Sequence, residues 1–165
     1  MVPSMMKENF KRMMAISLLT IVSISGCIEL QKSEDDHWWT VDLGTDDGYV
    51  EVHCEPALTE EQLRTGLMNR DSLGEFDGMI FVFQIPRNVS IWMKDTKLAL
   101  DVLFVAPTGS VISIVELGPG WGLPENEVPS CSSPGPVSYV LELNRGFCGT
   151  HGIAVGAVVT VHERK

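Results

Sequence analysis

From Tyr49 to Cys54 apolar and polar positions alternate, with Val50, Val52 and Cys54 against Tyr49, Glu51 and His53. A period of two marks a half-buried strand, and Pro56 is expected to end it. Thr59 with Gln62 three positions on is a capping-box pattern. Glu60 and Glu61 suit a helix N-terminus, and Leu63 and Leu67 share one face, so a helix is predicted over residues 60–68. Residues 79–83 are continuously apolar between turn formers, which predicts a strand covered on both faces. Strands over residues 89–93 and 100–106 follow. Pro107-Thr108-Gly109 then turns the chain back into 111–116 as a hairpin.

Residues 118–136 hold four Gly and five Pro and show no periodicity. A loop of that length inside a small domain is usually functional or mobile. A strand is predicted over 138–143. Asn144 is placed to cap a short helix over 145–150, with Gly152 as its stop, and a strand over 157–161 closes the sheet. Six or seven short strands arriving in runs, with one or two short helices, predict an α+β domain. Its expected architecture is a compact antiparallel or mixed, barrel-like β-sheet.

The N-terminus has a different pattern. Lys7, Lys11 and Arg12 precede an apolar run over residues 13–24, which at about 12 residues is too short to span a bilayer. Small residues then lead into a cysteine in Ile24-Ser25-Gly26-Cys27. This reads as a lipoprotein-type signal peptide over 1–26, cleaved before a Cys27 that carries diacylglycerol. An ordinary signal with a cysteine at its cleavage site is the plainer alternative. Residues 27–48 are mostly polar and acidic and read as a tether, with the globular domain over 49–165. Within the tether, Trp38 and Trp39 either lie among headgroups or pack on the domain as a first strand, and packing is favoured. The expected location is the extracytoplasmic face of the cell membrane.

The chain has 12 basic and 22 acidic residues and a net charge of −10. That balance argues against nucleic acid or anionic headgroups as partners, since phosphates are bound by clustered Lys and Arg. Membrane attachment must then come from the lipid on Cys27. Cys54, Cys131 and Cys148 remain, an odd number without metal-type spacing. Cys54 and Cys148 are expected buried and unpaired, and Cys131 exposed in the long loop; Cys131 bridged to one of the other two is the alternative. No His pair at chelating spacing and no phosphate-cradling Gly loop occurs, so neither a metal nor a cofactor is predicted.

The densest functional-looking cluster is Trp92-Met93-Lys94-Asp95-Thr96 with Asp101. An aromatic, a cation and carboxylates at a strand end are what small-ligand pockets present. A surface turn with Trp92 in the core is the bland alternative. Arg70, Glu142 and Asn144 join the candidates. Strand alternation puts Glu142 with Val140 and Ser138, opposite Tyr139, Leu141 and Leu143. If that face is internal, Glu142 needs a partner, and Arg70 or Lys94 is the natural one. The competing account makes these residues buried ion pairs that fix the fold.

Six blocks carry a resemblance: GLMNR (66–70), GMIFVF (78–83), WMKDT (92–96), LDVLFV (100–105), YVLELNRG (139–146) and HGI (151–153). In this order they resemble the signature blocks of the domain-of-unknown-function family 192, small and often exported bacterial and archaeal domains. The resemblance implies a compact β-rich α+β fold and no established activity. The chain departs from the family pattern at Asp95, where Asn is usual, at Lys97, where an apolar residue is usual, and at Ala99 and Ala157, which stand for Pro and Asp. Many members have two cysteines in the long loop, and here only Cys131 is present.

These readings converge on a lipid-anchored extracytoplasmic domain that binds a small polar ligand or an envelope protein without catalysis. The alternatives are a hydrolase using Asp95, Asp101 or Glu142 with Lys94 or Arg70, and a purely structural envelope protein.

Overall fold

Two strand segments, residues 78–83 and 100–105, are largely buried on both faces. The computed structural model describes residues 38–163; the signal sequence, Cys27 and the first part of the tether lie outside the described residues. In chain order the elements are β1 (Trp39–Thr45), β2 (Gly48–Ala57), α1 (Glu60–Thr65), β3 (Asp77–Arg87), β4 (Ser90–Trp92), β5 (Leu100–Val105) and β6 (Val111–Leu117). A single 3-10 turn (Glu125–Glu127) precedes β7 (Ser130–Ser132), β8 (Val137–Asn144), α2 (Phe147–His151) and β9 (Val159–His162). Seven strands form one sheet in the order β6-β5-β8-β3-β2-β1-β9, and β4 with β7 makes a separate two-stranded ribbon. Among the described strands only β2 and β3 pair in parallel; the other strand pairs are antiparallel. The expected mixed, barrel-like α+β fold is what the chain adopts, as a curled half-barrel.

The curl brings the two edges together at one end. Val111 N–H donates to Ala157 C=O and Val159 N–H to Gly109 C=O, and Ser110 bridges Val158. Inside the curl Leu43, Val52, Ile80, Leu103, Leu141 and Leu143 pack with Phe147 and Cys148 of α2. On the outer face Phe81, Val102, Phe104 and Val140 pack under Leu67, Ile91 and Met93. All six residues of β5 are buried for this reason. Its even positions face the outer layer and its odd ones the inner layer. Apolar burial on both faces is the main stabilising term, at roughly 25 cal/mol per Å² of apolar surface.

Several sequence expectations are corrected. The tether does not run to residue 48, because residues 39–45 form β1, paired with both β2 and β9. Trp39 is buried, so the alternating apolar positions Trp39, Val41 and Leu43 outweigh the acidic neighbours. Pro56 does not end β2. His53 N–H donates toward β3, to Phe76 C=O. By alternation Pro56 N faces the other side, where β1 begins only at Trp39, opposite Cys54. The capping box at Thr59 and Gln62 forms as expected, but α1 is shorter than 60–68. Gly66, at φ +49°, closes it by donating to Gln62 C=O. The long loop contributes β7, which is tied to β4.

Asn144 does not cap α2. It is still in β8, opposite Leu100, and the helix begins three residues later, beyond local capping reach. Its Nδ2 instead donates to Gly74 C=O at 2.8 Å, which holds the turn before β3. Gly152, in the left-handed region, ends α2 as expected.

Candidate functional site

Alternation along β8 sends Glu142 to the outer face beside Val140, opposite Leu141 and Leu143. In register it lies between Met79 of β3 and Val102 of β5. Its side chain opens onto a cleft of about 210 Å³ walled by Leu67, Phe81, Ile91, Trp92 and Leu100. Gly66 lets the chain pass close to Phe81 and the Glu142 carboxyl. Glu142 is only 5% exposed. Among the described residues no side-chain hydrogen bond or ion pair engages its carboxyl. Burial pushes that carboxyl up to about 8, with the charge of Arg70 working against the rise.

The partner expected for Glu142 is therefore not supplied by Arg70 or Lys94. Arg70 Nη2 donates to Glu55 Oε2, and both side chains are about one-third exposed or less. Lys94 Nζ lies over the Trp92 ring at 5.0 Å, a cation–π contact. Asp95 is exposed at a turn with φ +50°. The left-handed region is one that Asn and Asp tolerate best among non-glycine residues, so Asp in the place of the family's Asn keeps the turn. Asp95 C=O accepts from Asn69 N–H at 2.8 Å, which ties the segment after α1 to the WMKDT turn.

Asp101 and Asn144 lie away from this cleft. Asp101 is 1% exposed and faces the inner layer. Its two carboxylate oxygens accept from Gly146 N–H and Cys148 N–H, both at 2.9 Å. Gly146 offers α2 no side-chain cap, so Asp101 satisfies the first turn from a neighbouring strand. The structure thus gathers Trp92 and Glu142 at one cleft, with Arg70 and Lys94 nearby, and places Asp95, Asp101 and Asn144 elsewhere.

Glu55 escaped the sequence reading, and the places of Thr96 and Cys131 in the site were not foreseen. Glu55 sits in a strand with nothing local to mark it as the partner of Arg70. Thr96 is buried, its hydroxyl donating to Lys94 C=O and its own C=O accepting from Gly120 and Trp121 N–H. These bonds lay the start of the long loop against the WMKDT turn. A Cβ on Gly120 would overlap the Met93 carbonyl, so that position demands glycine. Cys131 reaches the site through β7, opposite Ile91. A long-range pairing of three residues leaves no periodic signal.

Cys54, Cys131 and Cys148 are all free thiols; Cys54 and Cys148 are buried and Cys131 is partly covered. Burial pushes each thiol up: Cys131 to about 11, with the Glu142 charge adding to it, and Cys148 to about 12, with Asp101 adding. Cys131 should still be alkylated first, but roughly 100-fold more slowly than a free cysteine at pH 7, since the thiolate is the reactive form. Timed alkylation with peptide mapping checks this. Modification of Cys54 or Cys148 in the folded protein as early as Cys131 would overturn it.

Among the described residues no group of three or more His, Cys, Asp or Glu is placed to hold a metal ion, and no helix is long and apolar enough to cross a membrane. The model of the DUF192 family, described as an uncharacterized ACR, matches residues 42–161. The chain belongs to this family. The DUF192 match takes in β2 through β8 and every wall of the cleft. A crystal structure from Sinorhizobium meliloti 1021, named a "putative transcription regulator", is 34% identical, with a TM-score of 0.67 over 75% of this chain and 93% of that one. A protein of unknown function from Novosphingobium aromaticivorans DSM 12444 is 30% identical, with a TM-score of 0.65 over 73% of this chain and 83% of that one. No curated protein matches the chain.

Proposed function

We propose that this DUF192 domain is a lipid-anchored, extracytoplasmic binding module that takes a small polar ligand in the cleft above Glu142 and catalyses no reaction. One observation carries the binding half: a carboxyl that is 5% exposed, unpaired among the described residues, and open to a cleft. Its oxygens are reached through the cleft rather than sealed from solvent, so the carboxyl is available to a partner from outside. A purely structural role would instead pair Glu142 with Arg70 or Lys94. A carboxylate-pair hydrolase would need a second acid at the cleft, whereas Asp101 is engaged by α2 and Asp95 is exposed at a turn. The anchor rests on the basic, apolar and small-residue order that ends at Cys27.

The regulator name of the Sinorhizobium relative is not carried over. At a net charge of −10 the chain is poorly suited to a phosphate backbone.

Two measurements test the proposal. Intact mass of the membrane fraction should show a species beginning at Cys27 with a lipid adduct, and Cys27→Ser should abolish that adduct. A mature chain starting elsewhere sinks the anchor. A thermal-shift screen of amino acids, sugars, polyols and amines on the full chain should find a saturable ligand. At 100 times its dissociation constant that ligand adds about 2.7 kcal/mol if it binds only the folded state. A ligand whose shift survives Glu142→Gln unchanged binds somewhere else.

A further inference from the structure

We infer that the cleft selects a small organic cation, an ammonium group on a short apolar or aromatic body, with Glu142 as its counter-ion and Trp92 on its flank. The inference rests on the binding reading above and adds the chemical class of the ligand. The walls combine apolar and aromatic side chains such as Leu67, Phe81 and Trp92 with the polar Arg64, Ser90 and Thr96, and Glu142 is the one acidic residue among them. Two of the nearby positive charges are already engaged: Arg70 is held by Glu55 and Lys94 lies over Trp92, while Arg64, exposed to solvent, lines the cleft. That last contact shows the Trp92 ring already accommodating an ammonium, at 5.0 Å from its centroid. A volume of about 210 Å³ lies below the roughly 300–1,000 Å³ of drug-sized sites, so the ligand is small. The acidic surface of the whole chain, at −10, concentrates cations rather than anions.

Binding carries a proton signature. Burial keeps the Glu142 carboxyl protonated up to about pH 8, so an arriving ammonium ion pairs with it only as the proton leaves to solvent. The ligand keeps its own protons, the Glu142 O–H bond breaks, and one proton is released per ligand bound. Around Glu142 the charged or titratable groups are Arg64 in the cleft lining, Arg70, Lys94 over Trp92 and Cys131 on β7; Met79 and Val102 on the flanking strands are neither. Cys131 titrates only near 11.

The experiment uses benzylammonium, benzyl alcohol and benzoate as size-matched probes on the full chain, by titration calorimetry in buffers of different ionisation enthalpy. Benzylammonium alone should bind. Its affinity should rise about tenfold per pH unit from pH 5 toward 8, with close to one proton released, and Glu142→Gln should remove both the binding and its pH slope. Benzyl alcohol or benzoate binding as well as or better than benzylammonium overturns the cation class while leaving a binding cleft. Saturable benzylammonium binding that is indifferent to pH and to Glu142→Gln overturns the assignment to this carboxyl. Failure of all three probes overturns the cation inference at this cleft, while a different ligand found in the wider screen would keep the binding reading alive.

Discussion

Asp101→Ala should unfold the domain at a much lower urea concentration, with a loss of about 3–4 kcal/mol. The carboxylate is 1% exposed and accepts from two backbone N–H groups of the first turn of α2, at Gly146 and Cys148. Hydrogen bonds to a charged acceptor are worth about 1.5–3 kcal/mol each, and a buried donor left without one costs about 1–3 kcal/mol. The full sum is not expected, because α2 can shift and water can enter. Helix α2 also supplies Phe147 and Cys148 to the inner layer, so a loosened first turn weakens packing as well. Asp101→Asn keeps one acceptor but turns an N–H toward a donor, and should cost roughly half as much. The two midpoints, read with amide exchange at Gly146 and Cys148, settle the matter. A loss under about 1 kcal/mol for the alanine variant, with exchange unchanged, would mean that α2 is not held through Asp101.

That role was not legible in the sequence. LDVLFV reads as a buried strand, and an aspartate in it reads as either a catalytic carboxylate or a surface pair. Only the return of the chain through β8 puts the start of α2 over Asp101, some 45 residues away. Local signals were recovered well because their partners are near in sequence. Thr59 and Gln62 form their capping box, residues 100–105 and 111–117 form their hairpin, and the alternation in β8 places Glu142 opposite Leu141 and Leu143. Readings went astray where a non-local contact decides. Trp39 packs as part of a first strand, as favoured, but the strand's run through Thr45 was read as tether because β2 and β9, which flank it, are distant in sequence. Pro56 is tolerated because β1 begins only at Trp39, opposite Cys54. Ser130 to Ser132 becomes a strand only against β4. The site followed the same rule. Trp92 and Glu142 could be named from residue type and face. The pairing of Arg70 with Glu55, which leaves Glu142 alone, depends on where two distant segments meet.

That solitude makes Glu142 the source of a second large effect, on stability against pH. Its carboxyl ordinarily titrates near 4.5 and in the folded chain is pushed up to about 8, chiefly by burial. Below 4.5 both folded and unfolded chains hold this proton, and the stability tied to it is fully present. Between 4.5 and 8 the folded chain retains a proton that the unfolded chain has released, so rising pH favours unfolding. The loss runs at up to about 1.4 kcal/mol per pH unit and is complete above 8, where the folded chain must carry a buried charge. Over the whole window it amounts to several kcal/mol, with the charge of Arg70 already limiting the rise. Glu142→Gln keeps the shape and the neutral donor and acceptor but removes the titration. The variant should match the parent near pH 4.5, gain on it steadily through neutrality, and be more stable by roughly 4 kcal/mol above pH 8. Taking the difference between the two chains cancels the many exposed carboxylates, which also titrate at the acid end. Urea midpoints at half-unit steps from pH 4.5 to 9 measure that difference. Parallel curves for parent and variant would show that Glu142 ionises as freely in the folded chain as in the unfolded one, and would remove both the buried neutral acid and the proton release expected of its ligand.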